Sequence, residues 1–198
     1  MRTRAGGTVL LADVLEGAFA QVGKIVSTRQ KDVGLDADEQ DAMSRKVAVG
    51  AVVFADLSRK RIKDFDFDWE TAFSLDGDSG PYLMYAHARA CGIMEKIGRE
   101  ATDDVEFGLL DTTPERELLK SLGRYPDAVA RAREENEPSV LGSHVLEIGK
   151  ALNLFYNQCR VKDVERPVQD ARLLLVWAAR AVLAEALGMH GIAAPWSM

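Results

Sequence analysis

The sequence of 198 residues contains only two cysteines, Cys91 and Cys159, and neither belongs to a zinc-ligand motif. A disulfide-stabilised fold and a structural zinc site are therefore not expected, and both cysteines are predicted to be reduced core residues. No apolar run reaches the length of about 18–20 residues that a membrane-spanning helix requires. The apolar run of residues 9–12 ends at Asp13 and is too brief for a signal peptide. We therefore expect a cytoplasmic protein without a membrane segment.

Positive charge is in deficit across the chain. Lysine and arginine number 25 against 31 aspartates and glutamates, which gives a net charge of −6. A protein that coats nucleic acid derives its affinity from many phosphate contacts, so this composition argues against that class. The part of the sequence from Pro138 onward is close to neutral, and the acidic excess lies before it. Any RNA-binding site is therefore expected to be local.

Motifs of common catalytic sites are missing as well. The chain has no G-x-G-x-x-G, Walker, G-x-S-x-G or H-E-x-x-H pattern. Asp103 and Asp104 form a carboxylate pair, but general acid–base chemistry requires burial, which an acidic stretch does not favour. We therefore predict no catalytic residue and no metal site in this chain.

Hydrophobic periodicity predicts a predominantly all-α fold, a helical bundle. The predicted helices cover residues 14–22, a segment through Ala42, and residues 81–97, 138–159 and 168–187. Between Gly98 and Glu137 the pattern predicts helices separated by turns, with a cap sequence at residues 112–115. The apolar run of residues 47–57 could be buried as a helix or as a strand, and a helix is favoured. The helix of residues 168–187 is apolar almost all round and is expected at the centre of the bundle, ending before Gly188. The charge run of residues 131–137 is interpreted as a solvated helix end.

Two short segments are predicted to be extended. Residues 8–11 form a strand-like run that leads, with Asp13 as a possible helix cap, into the first helix, so a short α/β remnant is expected at the N-terminus. Residues 64–69 alternate aspartate with phenylalanine and tryptophan, a period of two that indicates a half-buried extended segment with its aromatic side chains inward.

The predicted helix of residues 81–97 carries the most informative side chains. At helical spacing, one narrow sector contains Tyr82, Tyr85, Arg89, Gly92 and Lys96. Aromatic faces for base stacking, two cations for phosphate and a glycine that admits a close backbone are what a single-stranded RNA site requires. The alternative is that the tyrosines are half-buried interface residues and the arginine is a surface cation, and spacing alone leaves both interpretations open.

A second polar and aromatic patch lies on the predicted helix of residues 138–159. Tyr156 is accompanied there by Lys150, Asn153, Asn157 and Arg160. The patch is of the same kind as the first, and a simple helix-flank tyrosine is an equally good interpretation of the spacing. His87, on the apolar side of its helix, is predicted to be a core histidine with a satisfied hydrogen bond.

Several ordered motifs resemble one known family. Residues 49–57 (VGAVVFADL), 66–70 (DFDWE) and 80–89 (GPYLMYAHAR) closely resemble the C-terminal part of class I arginyl-tRNA synthetases. Residues 151–156, 171–176 and 187–195, together with Met198, resemble the helical anticodon-binding domain of that family. The resemblance covers nearly the whole chain and is weakest at residues 26–40 and 98–137.

The resemblance implies a division into two parts. Residues 1–75 correspond to a remnant of the catalytic domain with connecting helices, and residues 76–198 correspond to the anticodon-binding helical bundle. Four residues resemble the tail of the K-M-S-K-type ATP loop, whose leading lysine is absent here: Met1, Arg2, Thr3 and Arg4. The H-I-G-H-type motif is absent too, so this relative of an ATP-dependent arginine-tRNA ligase is expected to carry no active site of its own. ATP and Mg²⁺ are implied for the full-length family, and no cofactor is expected in this chain.

The resemblance also gives the polar and aromatic patches a ligand, the anticodon arm of an arginine tRNA. The residues expected to bind it are Tyr82, Tyr85, Arg89, Lys96, Asn153, Tyr156, Arg160 and Met198. Two positions depart from the family pattern: Ser197 stands where a basic residue is usual, and Met84 stands where glutamine is common. Both changes are expected to weaken tRNA binding if nothing compensates for them.

Two other functions are compatible with the sequence. A truncated stand-alone relative could act as a regulatory or protein-interaction module, in keeping with the net negative charge. The chain could instead complement a separately made catalytic half. We expect a monomer that takes part in protein biosynthesis by binding arginine tRNA.

Overall fold

The structure, a computed structural model, describes residues 10–29, 36–64 and 67–198. Helices make up most of these residues, and no strand occurs among them, which confirms the predominantly helical prediction. The helices are α1 (Leu11–Arg29), α2 (Ala37–Leu57), α3 (Trp69–Ala72), α4 (Gly80–Ile97), α5 (Thr113–Gly123), α6 (Tyr125–Glu135), α7 (Pro138–Gln158) and α8 (Arg166–Met189), with a 3-10 turn at Phe107–Leu109.

The predicted strand at the N-terminus falls partly outside the described residues, which exclude Thr8 and Val9. Leu11 begins α1, and the Val14 N–H already donates to the Leu10 carbonyl at 3.2 Å, so this part of the run is helical rather than extended. Asp13 therefore lies within the first turn of α1 and is not its cap. A carboxylate there still favours the helix, because it faces the positive end of the helix dipole.

Local capping explains where α2 begins. The Asp36 carboxylate accepts a hydrogen bond from the Glu39 N–H, and the Glu39 carboxylate accepts one from the Asp36 N–H. The helix then continues without a break to Leu57, which joins the two helical segments predicted on either side of Lys46 and confirms the helical assignment of the second.

Residues 64–69 agree with the prediction only in part. Phe65 and Asp66 lie outside the described residues, and Phe67 and Asp68 are not helical. Trp69 begins α3, because the Asp68 carboxylate accepts a hydrogen bond from the Thr71 N–H and starts a helical turn. Phe67 and Trp69 are partly buried against the core, in keeping with the inward orientation that the alternation predicts.

Helix α4 begins at Gly80, where the Ser79 hydroxyl accepts a hydrogen bond from the Tyr82 N–H at 3.1 Å. It ends at Gly98, whose φ of 69° is left-handed and favours glycine. Gly80 is also required for packing, since a Cβ atom there would collide with the Gly50 carbonyl of α2. The backbones of α2 and α4 therefore lie in direct contact at this glycine pair.

Helices α4, α7 and α8 pack around a common core. Helix α2 packs against α4, and both α5 and α6 pack against α7. Helix α8 contributes the fully buried Leu173 and Leu183, although Trp177 on the same helix is exposed. The helix extends through Gly188 to Met189 rather than ending before it, because the left-handed turn occurs later, at Gly191, with a φ of 71°. No described helix is long and apolar enough to cross a bilayer.

Candidate nucleic-acid interface

Most of the predicted RNA-binding side chains meet in one open groove between α4, α7 and residues 195–198. This aromatic groove has a volume of about 640 Å³ and is lined by Tyr85, Ala88, Arg89, Gly92, Ile93, Glu95, Lys96, Tyr156, Trp196, Ser197 and Met198. The three stretches of chain that form it are distant in sequence, so the groove is a product of tertiary packing.

Arg89 occupies the centre of the aromatic groove. Its guanidinium carbon lies 4.6 Å from the ring centroid of Tyr85 and 4.4 Å from that of Tyr156, within the range of cation–π attraction. The same guanidinium donates a hydrogen bond to the Asn153 side-chain oxygen across the α4–α7 contact. Arg89 is therefore held by both helices beside two tyrosine rings, of which Tyr156 is 43% exposed.

Tyr82 is placed differently from the other predicted residues. It is only 7% exposed, and its ring packs against Gly149 of α7. Helix α7 therefore covers the first turn of the α4 face on which the helical spacing places the predicted RNA-binding residues. Burial raises the pKa of its hydroxyl, although the charge of nearby Arg89 acts in the opposite direction. Tyr82 lies beneath the groove and does not offer an open ring face for a stacked base.

A second, basic groove lies on the other side of Tyr156. It has a volume of about 300 Å³ and is lined by Ile93, Lys96, Ile97, Tyr156, Cys159, Arg160, Val161, Lys162 and Asp163. Lys96, Arg160 and Lys162 form no ion pair with any described residue. Tyr156 and Lys96 line both grooves, so the aromatic surface and the unpaired cations are contiguous.

The remaining polar residues of the α7 patch do not line either groove. Lys150 pairs with Asp78 at 2.6 Å, and both side chains are more than half exposed. Asn157 is exposed, whereas Asn153 is partly buried and positions Arg89. Met1, Arg2, Thr3 and Arg4, the predicted remnant of the ATP loop, lie outside the described residues.

A buried ion pair supports the loop that carries the basic groove. The Arg172 guanidinium of α8 donates to the Glu115 carboxylate at 2.6 Å and to the Arg160 carbonyl at 2.7 Å. Burial alone would raise the pKa of Glu115, but hydrogen bonds from Thr112 and Arg172 outweigh it and hold the pKa below its ordinary value. The pair therefore anchors the start of the loop between α7 and α8 to the core of the bundle.

Residues 195–198 form one wall of the aromatic groove. Sequence reasoning predicts this wall less completely than the walls formed by α4 and α7. It places Met198 there but misses Trp196, because residues 195–198 follow the end of α8 and belong to no helical pattern. His87 is buried, as predicted, and its hydrogen-bond partner is the Pro195 carbonyl at 2.9 Å. Sequence reasoning also misses Lys162, because it follows the end of α7 and falls outside the helical pattern.

Exposed aromatic rings next to cations that have no ion-pair partner in the described part of the chain are features that proteins use to bind single-stranded RNA. The family model described as "DALR anticodon binding domain" matches residues 83–198, and the chain belongs to this family. A second model, "tRNA synthetases class I (R), catalytic domain", matches residues 1–69.

The relatives of the chain include many arginine-tRNA ligases. The enzyme named arginine–tRNA ligase from Alkaliphilus metalliredigens is 34% identical over 198 residues, which is 100% of this chain and 34% of that protein. The one from Clostridioides difficile is 35% identical over 198 residues and is likewise covered to 34%. The chain thus spans about a third of the length of these curated relatives.

Solved structures agree with this relationship. The arginyl-tRNA synthetase of Thermus thermophilus superposes with a TM-score of 0.89 at 33% identity, covering 98% of this chain and 33% of that one. The arginyl-tRNA synthetase of Plasmodium falciparum has a TM-score of 0.83 at 19% identity, covers 96% of this chain and 34% of that one, and supports the fold alone. The resemblance inferred from the sequence motifs is confirmed.

Proposed function

We propose that this chain is a tRNA-binding portion of an arginine-tRNA ligase and receives the anticodon arm of arginine tRNA in its aromatic groove. The observation that carries the proposal is the position of Arg89 over the rings of Tyr85 and Tyr156 in an open groove. The family match and the names of the relatives supply the RNA class and the amino acid.

The two grooves have different roles in binding a hairpin loop: one offers aromatic rings to the bases, and the other offers positive charge to the phosphates. Unstacked bases gain free energy by stacking on exposed aromatic rings, and Tyr156 offers such a ring at the boundary between the grooves. Lys96, Arg160 and Lys162 provide positive charge next to it for the phosphates of the same strand. Because these charges have no ion-pair partner among the described residues, no such pair has to break before they contact RNA.

The chain acts in this proposal by holding tRNA, and amino-acid activation with ATP takes place on sequence that corresponds to the rest of the relatives. In aminoacylation this region acts together with the catalytic part of such a ligase, and the cytoplasm is the expected location. The arginylation of tRNA by a mixture of the two parts, and not by either alone, is the activity expected under this proposal.

The first experiment is a filter-binding titration of the chain with an arginine tRNA transcript. Replacement of Tyr156 by alanine removes an exposed stacking surface and is expected to cost about 1–3 kcal/mol of binding free energy. Trp177→Ala is the matched control, since Trp177 has the same exposure of 43% but lines neither groove.

Equal affinities of the parent, Tyr156→Ala and Trp177→Ala chains would overturn the assignment of the aromatic groove. A transcript of a tRNA for another amino acid tests the substrate, because it is expected to bind more weakly. Co-elution of the chain with arginine tRNA in gel filtration is expected. A stable protein complex without RNA would contradict the proposal and favour the interaction module.

A further inference from the structure

Residues 195–198, the wall segment, are buried unevenly: Pro195 is buried and Met198 packs partly against the core, whereas Trp196 and Ser197 are exposed. On one side they line the aromatic groove, and on the other they border a cavity of about 710 Å³ with Met94, Glu95, Gly98, Arg99 and Glu100. Trp196 is 66% exposed, and the segment has no regular secondary structure. A segment at the end of a chain is ordered only where contacts tie it down, so the contacts at Pro195 and Trp196 decide where its side chains lie.

His87 supplies the first of these contacts. Its Nδ1 lies 2.9 Å from the Pro195 carbonyl oxygen, in a contact that is buried and spans 108 positions of sequence. A carbonyl only accepts hydrogen bonds, so Nδ1 must carry the proton and donate it. Burial lowers the pKa of His87, and together with the positive charge of Arg180 it outweighs the hydrogen bond to Pro195, which raises the pKa. The ring is therefore neutral at neutral pH, with its proton on this nitrogen.

Arg180 of α8 supplies the second contact. Its guanidinium carbon lies 5.5 Å from the ring centroid of Trp196, within the range of cation–π attraction. Its Nε atom is buried and has no hydrogen-bond partner among the described residues, so no hydrogen bond from this atom helps to hold the guanidinium in position. The wall segment is therefore held at two consecutive residues, at the backbone of Pro195 and at the ring of Trp196.

We propose that His87 and Arg180 clasp the wall segment, and that His87 is a positioning residue that places Trp196 and Met198 beside Tyr156 in the aromatic groove. His87 touches no RNA and acts only through the segment. The RNA consequence rests on the function proposed above, whereas the positioning itself is a property of the free protein. The two can therefore be tested separately.

The positioning is tested without RNA by NMR of the chain labelled with methyl-¹³C methionine. The chain has 6 methionines, and the Met198 signal is assigned by its loss in Met198→Leu. Because Met198 lies in a groove lined by aromatic rings, its methyl signal is expected away from the position of an unstructured methionine. His87→Phe removes the donor and is expected to return the signal to that position, while His87→Asn keeps a donor near Nδ1 and preserves the shift.

The outcome that overturns the proposal is an unchanged Met198 signal in a folded His87→Phe chain. Circular dichroism and thermal melting establish that each variant is folded. If His87→Phe does not fold, His87→Ala replaces it, since alanine removes the donor without adding bulk. Failure of both His87→Ala and His87→Asn to fold would assign the histidine to the core rather than to the segment, and would likewise overturn the proposal.

The consequence for RNA is tested by a double-mutant cycle in the same filter-binding titration with arginine tRNA. His87→Phe is expected to weaken binding up to about tenfold, the range for loss of one hydrogen bond, and His87→Asn is expected to retain most of the affinity. In a chain that carries both Trp196→Ala and Met198→Ala, His87→Phe is expected to add less than about twofold. Full additivity of His87→Phe with the two alanine changes would show that His87 does not act through the segment.

The two measurements separate the proposals. If the Met198 signal responds to His87 but no variant changes tRNA binding, the clasp stands and the aromatic groove is not the RNA site. If tRNA binding depends on Tyr156 while the Met198 signal ignores His87, the proposed function stands and the clasp is wrong.

Discussion

Glu115 shows how a single buried charge can support a distant surface. Its side chain is fully buried on α5 and accepts hydrogen bonds from the Thr112 N–H, the Thr112 hydroxyl and Arg172. The same Arg172 donates a hydrogen bond to the Arg160 carbonyl, at the start of the loop between α7 and α8 that lines the basic groove. Loss of Glu115 would leave Arg172, whose side chain is only 14% exposed, without a compensating charge, which is more costly than loss of a surface pair.

Replacement of Glu115 by glutamine is therefore expected to lower the free energy of unfolding by about 3–5 kcal/mol near neutral pH. Its lowered pKa means that the ionised carboxylate stabilises the fold above the ordinary value of 4.5, and that this contribution is lost as the pH falls below it. Urea unfolding near neutral pH and at about pH 3 checks both statements, because the difference between parent and variant must shrink in acid.

The matched control is Glu117→Gln on the same helix. Glu117 pairs with Lys120 at 3.0 Å, but both side chains are more than half exposed, so its loss is expected to cost less than about 1 kcal/mol. Equal effects of the two substitutions would contradict the role given to the buried pair.

Arg89 also permits a test at the scale of one side chain. Lysine keeps the positive charge but lacks the planar guanidinium that lies over Tyr85 and Tyr156 and bonds Asn153. Arg89→Lys is expected to weaken binding of arginine tRNA by about tenfold in the filter-binding assay. Arg131→Lys, at an exposed arginine paired with Glu135, is the control and should leave the affinity unchanged.

The helices of this chain begin and end at signals that are local in sequence. Ser79 precedes α4, Pro81 lies in its first turn, and Thr112 and Glu115 stand three positions apart at the start of α5. Such starts can be recognised in the sequence, because a cap involves residues only three positions apart. A boundary such as the end of α8 is less predictable, since glycine at position 188 is compatible with continuing the helix as well as with ending it.

The grooves are less accessible to sequence reasoning than the helices, because they depend on contacts between distant positions. Spacing on α4 places Tyr82 and Tyr85 on one face, but only the tertiary structure shows that Gly149 of α7 brings a backbone against Tyr82. The Arg89–Asn153 hydrogen bond and the His87–Pro195 hydrogen bond span 64 and 108 positions. The chemistry of the site is visible in the residue types, whereas its assembly is visible only in the fold.

The contact between α2 and α4 gives a prediction for a pair of elements. Alanine at Gly80 would place a Cβ atom against the Gly50 backbone, which cannot move aside as a flexible side chain can. Gly80→Ala is expected to lower the free energy of unfolding by about 1–3 kcal/mol. Gly188→Ala is the control, because nothing lies within 4 Å of a Cβ atom there, and it should stabilise α8 by up to about 1 kcal/mol. Thermal melting checks both variants: the melting temperature is expected to fall for Gly80→Ala and to rise for Gly188→Ala, and shifts of the same sign would contradict this account.

At the scale of the whole molecule, a chain of net charge −6 must bind a polyanion through a local concentration of positive charge. Lys96, Arg160 and Lys162 form that concentration around the basic groove. Replacement of all three by glutamine is expected to weaken tRNA binding and to reduce the slope of log affinity against log salt concentration. The reduction is expected to be about 0.7 for each single-strand phosphate that the variant no longer neutralises.

The salt series is measured by filter binding with arginine tRNA at several salt concentrations. Lys46→Gln is the control, because Lys46 is exposed on α2 and lines neither groove. An unchanged slope in the triple variant would place the phosphate-binding cations elsewhere on the molecule.

The close approach of Gly50 and Gly80 has one more consequence. Helix α2 lies in the stretch that matches the synthetase catalytic-domain model, and α4 carries the tyrosine and arginine of the aromatic groove. A side chain larger than a hydrogen atom at position 80 would force the two helices apart, because the groups it would meet are the Gly50 backbone and the Phe54 Cβ atom. The spacing between the two matched regions therefore depends at this point on the absence of a single Cβ atom.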